Sequence, residues 1–193
     1  MSTRKTSKQE DILDTATSLF SEFGYHAVGI DRIIAESTVA KMTLYKHFPS
    51  KDFLIESVLV RRDEQLRESI INNLNQEITP LLKLKSIFDW YSIWFQSEDF
   101  HGCMFIKATE EFSDVTSNIR RFSQDHKIWI TDLMSSLLLE VGVKNPDAMA
   151  AHLIVILDGL TVQANMFTSD RVEQINYAWR YVEFVAVNAP SLS

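Results

Sequence analysis

Residues 30–48, IDRIIAESTVAKMTLYKHF, carry two short helical periodicities broken by a polar pair. Ile30, Ile33, Ile34 and Ser37 fall at i, i+3, i+4 and i+7, the spacing of one helical face, and Asp31 places an anion where the helix dipole favours it. Ser37 and Thr38 interrupt that pattern with side chains that hydrogen-bond their own backbone. Val39, Leu44 and Phe48 then mark a second short helix able to dock on the first. The spacing predicts a helix-turn-helix. Its second helix would turn outward Lys41, Met42, Thr43, Tyr45, Lys46 and His47, a set of cations, hydroxyls and a flat ring suited to phosphates and base edges. A surface helix-loop-helix with no DNA role has the same spacing, because short helical pairs are common.

Upstream, Ile12, Leu13, Ala16, Leu19, Phe20 and Phe23 form one stripe from about Lys8 to Glu22, and Gly24 is placed to end that helix at C′. This helix is expected to brace the motif from behind. Downstream, Pro49-Ser50 precedes a long helix from about Lys51 to Leu74, with Ser50 as N-cap and Ile55, Val58, Leu59, Leu66 and Ile70 as its buried stripe. Lys51 at the positive end of that helix dipole is unfavourable by about 0.3–1 kcal/mol, a sign that a nearby phosphate reverses.

TVAKMTLYKHFPSKD resembles the recognition-helix signature of the TetR family of transcriptional regulators, and the likeness extends upstream through Phe20, Gly24-Tyr25 and Ile33. The resemblance implies that Lys41, Met42, Thr43 and Lys46 face the major groove and that Tyr45, His47 and Lys51 touch the phosphate backbone. Three positions depart from the family pattern. Thr38 stands where the family has Gly, which would put a β-branched residue at positive φ. Ala40 replaces Ser and removes an N-cap oxygen. Val28-Gly29 replaces Thr-Ser, leaving only backbone N–H groups for a phosphate there.

A chain of 193 residues with 46% hydrophobic content can bury a core, and five glycines and four prolines in long helical periodicities argue for an all-α fold. The net charge of −7 is unevenly spread: residues 1–51 hold seven Lys/Arg and six Asp/Glu, or +1, and the remainder twelve and twenty, or −8. Arg4, Lys5 and Lys8 gather at the amino end, as a basic arm on phosphates or as a solvated tail. The single Cys103 excludes an intramolecular disulfide, and the polar start lacks the apolar region of a signal peptide. No window is expected to approach a membrane span, and the protein is expected to be cytoplasmic.

The rest of the chain reads as a helical body. Leu81–Gln96 is dense in rings, including Trp90, Trp94 and Phe95, which either fill a core or line a pocket. A helix from Gly102 through Phe105 to Phe112 follows, then a stripe from Val115 to Val141 carrying His126 and Trp129. His126 reads as a hydrogen-bonded core histidine or as a ligand contact. Trp90, Trp94, Phe95, Phe105, Phe112, His126, Trp129 and Asp158 are the candidate ligand-binding residues, with Glu110 as a further polar anchor or a solvated side chain. Residues 147–167, apolar on nearly every face, demand cover that a second copy could supply, and Asp158 and Gln163 within them demand partners. His101 and Cys103, only two apart, complete no metal or nucleophile site; no metal and no cofactor is expected.

The combined expectation is a DNA-binding head at residues 1–50 and a helical ligand-binding and dimerisation body at 51–193. The function expected is that of a homodimeric repressor, dimerising through its last two long helices, on a palindromic DNA operator, released by a small hydrophobic or cationic effector. A helical enzyme carrying a helix-turn-helix is the rival, although the chain shows no Gly-rich phosphate loop and no nucleophile elbow. A constitutive DNA-binding dimer without ligand is another.

Overall fold

The computed structural model describes residues 7–188, so Arg4 and Lys5 of the expected basic arm lie outside the described residues. Nine α-helices and no strands are present among the described residues: α1 Lys8–Phe23, α2 Ile30–Ser37, α3 Lys41–His47, α4 Lys51–Leu74, α5 Pro80–Phe95, α6 Met104–Glu111, α7 Asn118–Val141, α8 Pro146–Met166 and α9 Arg171–Asn188. The all-α expectation holds.

The chain divides into two compact units, the first made of Met1–Glu64 and Cys103–Gln124, the second of Gln65–Gly102 and Asp125–Ser193. The units are cut differently from the division at residue 50 expected from the sequence. The physical reason lies in α4, whose Leu54, Ile55, Val58 and Leu59 are fully buried before Glu64 is reached. Arg61 of α4 also donates to Asp14 and Thr17 of α1, at 2.7 and 2.9 Å.

In the first unit, α1 opens with a capping box. The Ser7 hydroxyl accepts from Glu10 N–H at 3.2 Å, while Ser7 N–H donates to the Glu10 carboxylate at 2.7 Å. Ile12, Ala16, Phe20, Tyr25, Ile33, Leu44, Phe48 and Phe105 are buried. Each large side chain so removed from water contributes about 1.5–3 kcal/mol before the entropy of ordering it. The expected helix from Gly102 to Phe112 is shorter than its periodicity suggests, because Phe112 is already the extended C-cap residue of α6. The next stripe starts at Asn118 rather than Val115: the Asp114 carboxylate accepts from Thr116 N–H and Oγ, folding the loop and leaving Val115 exposed. Those two hydrogen bonds hold the Asp114 carboxyl below its ordinary range.

In the second unit, α5 starts on Thr79, whose hydroxyl accepts from Leu82 N–H at 3.3 Å, with Pro80 in the first turn. Leu84, Ile87, Phe88, Leu153, Leu157, Ile175, Trp179 and Val182 are buried in one cluster, with the Phe88 and Trp179 rings 5.4 Å apart. α8 is long and apolar enough, by length and composition, to cross a bilayer, against the expectation that no segment would be. Its Ala150, Leu153, Leu157, Thr161 and Ala164 form a buried stripe, and Asp158 at mid-length is paired with Lys127 of α7.

Candidate nucleic-acid interface

The first unit presents α3 through a tight turn. Ser37 ends α2 with its hydroxyl donated back to the Ile33 carbonyl at 2.6 Å, and Thr38 follows in the left-handed region at φ 55°, ψ 27°. This conformation lets α3 fold back so that Val39, Leu44 and Phe48 are buried. A β-branched residue there is strained. Ala40 is the N-cap of α3 and Gly29 that of α2, and neither makes a side-chain cap bond. The backbone N–H groups in both first turns therefore lack a capping side-chain oxygen.

With Leu44 inward, Lys41, Met42, Tyr45 and Lys46 are exposed, Met42 to 80%, and Thr43 and His47 are half-buried on the flanks. Lys51 is half-buried at the first turn of α4, where the Ser50 hydroxyl accepts from Phe53 N–H at 3.1 Å. All seven residues expected to contact DNA therefore lie on α3 or at the start of α4, within one compact unit. Sequence reasoning missed Asp31 as part of this surface: its carboxylate lies 3.3 Å from Lys41 Nζ. Arg32 is also engaged, by Glu36 at 2.8 Å and over the Phe23 ring at 4.0 Å.

A second missed group fixes the turn between α1 and α2. The Glu111 carboxylate accepts the backbone N–H groups of Tyr25 and His26, and His26 Nε2 lies 2.8 Å from the Glu111 carbonyl oxygen. Tyr25 donates its hydroxyl to the Met104 carbonyl at 2.9 Å, and Lys107 donates to the Ser21 carbonyl at 2.6 Å. Burial pushes the Tyr25 phenol well above its ordinary 10.0, with Cys103 and Glu111 acting in the same direction. Burial likewise lowers the Lys107 ammonium, against the raising influence of Glu111.

The family described as bacterial regulatory proteins, tetR family, matches residues 12–58. The HTH-type transcriptional regulator LmrA of Bacillus subtilis is similar at 32% identity over 150 residues, covering 76% of this chain and 79% of that regulator. The crystal structure of SCO4454, a TetR-family transcriptional regulator from Streptomyces coelicolor, matches at TM-score 0.87 and 30% identity, over 93% of this chain and 94% of that one. The chain belongs to the TetR family. Its similarity to the uncharacterized HTH-type transcriptional regulator YuxN of Bacillus subtilis, at 24% identity over 159 residues, takes in 80% of this chain; the chain spans about half the length of that relative, 52%. This TetR-family chain is a DNA-binding transcriptional regulator.

The residues expected to line a ligand site in this TetR-family regulator are divided between the two units. Phe105 is buried in the first unit, and Phe112 lies there against Tyr25 and His26, with ring centroids 5.8 and 4.8 Å away. Glu110 is exposed. In the second unit Trp90, Trp94 and Phe95 pack on one another and on Phe100, the Trp94–Phe100 centroids being 5.0 Å apart. Trp129 lies beneath the Arg67 guanidinium at 4.8 Å, His126 is buried with its ring 6.5 Å from that indole, and Asp158 is paired with Lys127. Two arginines that the sequence reading passed over thus attend these rings, Arg67 and Arg171. Arg171 sits over Phe100 at 5.2 Å and donates to the Phe95 carbonyl at 2.8 Å. Gln163 is exposed and lines a groove of about 350 Å³ with Leu160, Phe167, Asp170 and Gln174, a place that includes none of the expected rings.

Proposed function

We propose that this regulator is a homodimeric repressor that places α3 of each copy in successive major grooves of a palindromic operator and leaves it when a small hydrophobic or cationic molecule binds. The observation that carries the reading is the outer face of α3, where Lys41, Met42, Tyr45 and Lys46 stand exposed around the buried Leu44. Lys41, Met42, Thr43 and Lys46 serve base edges; Tyr45, His47 and Lys51 serve phosphates. A bound dimer represses by occupying promoter DNA that polymerase needs.

Dimerisation is supported by α8 and α9, which leave Val155, Met166, Tyr181 and Phe184 exposed to 69, 65, 63 and 65%. An apolar groove of about 420 Å³ lined by Met149, His152, Val155, Tyr181 and Val185 runs along the same helices. Apolar surface of this extent on neighbouring helices favours a self-complementary two-fold contact. Two heads related by that axis require half-sites about 34–36 Å apart, or a multiple.

The effector is supported by rings already carrying cations, Trp129 under Arg67 and Phe100 under Arg171, since the same faces attract a cationic guest. Release follows if the guest binds the form with mismatched head spacing more tightly. The tight mutual packing of Trp90, Trp94, Phe95 and Phe100 favours a second reading, a constitutive dimer without effector.

The experiment is selection of duplexes from a random library, followed by binding at several salt concentrations and a screen of flat and cationic compounds against tryptophan fluorescence and DNA release. Lys51→Ala should lower the salt slope by about one on every duplex, whereas Lys46→Ala should cost about 1–3 kcal/mol and relax the preference at particular base pairs only. An unchanged slope in the first variant together with an unchanged preference in the second would remove α3 and its flank from the DNA surface. A screen with no compound-dependent release would leave the constitutive dimer.

A further inference from the structure

Lys41 occupies an unfavourable place for a cation. It is the first residue of α3, at the positive end of the helix dipole, behind an N-cap residue, Ala40, that offers no side-chain oxygen. Asp31 of α2 offsets this with its carboxylate 3.3 Å from Nζ, both side chains being largely exposed. An exposed carboxylate on a surface that meets a polyanion is a liability for affinity, since it repels phosphate. The cations of the motif fall into two groups. Lys41 and Arg32 are engaged by Asp31 and Glu36, whereas neither Lys46 nor Lys51 is ion-paired among the described residues.

We propose that Asp31 is a specificity-determining residue of the DNA interface, engaging Lys41 so that this cation exchanges its carboxylate for base-edge acceptors and not for phosphate alone. The proposal rests on the reading of α3 as the recognition helix. Exposed ion pairs are weak, so Lys41 is released readily where guanine O6 and N7 offer two acceptors in the major groove. On a duplex of the wrong sequence only phosphate is on offer, and the carboxylate both competes for the ammonium and repels that phosphate. Asp31 thereby withdraws one cation from sequence-independent binding and keeps it for sequence-dependent contact, which is discrimination by a built-in penalty.

The test uses the full chain, a duplex selected by the wild type from a random library, and an unselected duplex of equal length. Binding is followed by fluorescence anisotropy across a salt series for wild type, Asp31→Asn, Lys41→Ala and the double variant, each checked for fold by circular dichroism. Asp31→Asn should tighten binding to the unselected duplex several-fold, steepen its salt slope by about 0.9 and cut the selected-to-unselected ratio about tenfold. In the Lys41→Ala background the same substitution should leave the selected-to-unselected ratio unchanged, because the direct repulsion of phosphate by Asp31 acts alike on both duplexes. A wild type that selects a sequence while Asp31→Asn keeps the ratio unchanged, or an Asp31→Asn effect on the ratio that persists without Lys41, overturns the inference and leaves the recognition helix standing. A wild type that selects no sequence overturns both.

Discussion

Glu111, the last residue of α6, accepts the backbone N–H groups of both Tyr25 and His26, at 2.9 and 2.6 Å, across 86 and 85 residues of sequence. One carboxylate thus satisfies two donors in the turn that sets α2 after α1. Glu111→Gln keeps the size but exchanges one acceptor for a donor facing an N–H, so it should destabilise the protein by about 1–3 kcal/mol, read from urea unfolding. Gly24→Ala should destabilise at least as much. Its φ is +84°, and a Cβ there would lie 2.7 Å from Glu111 Oε1.

The Tyr25 phenol predicts a pH dependence. Its folded pKa is raised above 10.0, so the folded chain holds this proton more tightly than the unfolded chain. The resulting stabilisation is complete below pH 10 and is lost as pH rises from there through the raised folded value. Tyr25→Phe should cost about 1 kcal/mol at neutral pH, through the lost bond to Met104, and should flatten the alkaline decline. Unfolding midpoints between pH 7 and 11 decide it; an equally steep decline in the variant would assign the loss to other groups.

Thr38→Gly should stabilise. The turn holds a β-branched residue at φ 55°, and glycine adopts that region freely, which outweighs its greater freedom when unfolded by up to about 1 kcal/mol. The thermal midpoint should rise by about 2–4 °C, with the salt slope of DNA binding unchanged. A lower midpoint would mean that the Thr38 side chain contributes more than its backbone costs.

The proposed dimer separates two kinds of substitution on α8 and α9. Leu153 and Leu157 are buried within the chain's own core, so Leu157→Arg should unfold the second unit. Phe184→Arg and Tyr181→Glu change exposed residues and should yield a folded monomer. Sedimentation velocity at micromolar concentration, with circular dichroism as the fold control, distinguishes them. A dimer unaffected by both substitutions would put the two-fold contact elsewhere.

The helix-turn-helix was legible because each of its signals is local. Ile33 and Leu44 show their burial through periodicity, and Lys41, Met42, Tyr45 and Lys46 show their exposure as the complement of it. The strain at Thr38 and the empty caps at Gly29 and Ala40 followed from residue chemistry at single positions. Glu111 and Arg67 were illegible for the opposite reason. Each finds its partner through tertiary folding, and a surface glutamate and a helical arginine look like solvated side chains in one dimension. Phe105 and Phe112 were grouped with the body rings by composition, which does not register that α6 belongs to the same unit as α1. Asp31 signals a favourable dipole contact at its own helix, and that reading conceals its reach to Lys41.

The split make-up of the first unit has a consequence for synthesis. Met1–Glu64 leaves the ribosome before Cys103–Gln124, which belongs to the same unit and emerges only after Gln65–Gly102. At ~5–20 residues per second, the nascent chain waits several seconds with Tyr25 and His26 lacking the Glu111 carboxylate and with part of the apolar surface that buries Tyr25 unmade. During that interval α3 can form while its support is incomplete. Translational pausing before Gln124 would lengthen the vulnerable period, and a chaperone acting on this protein would find its target in the first 64 residues rather than in the body.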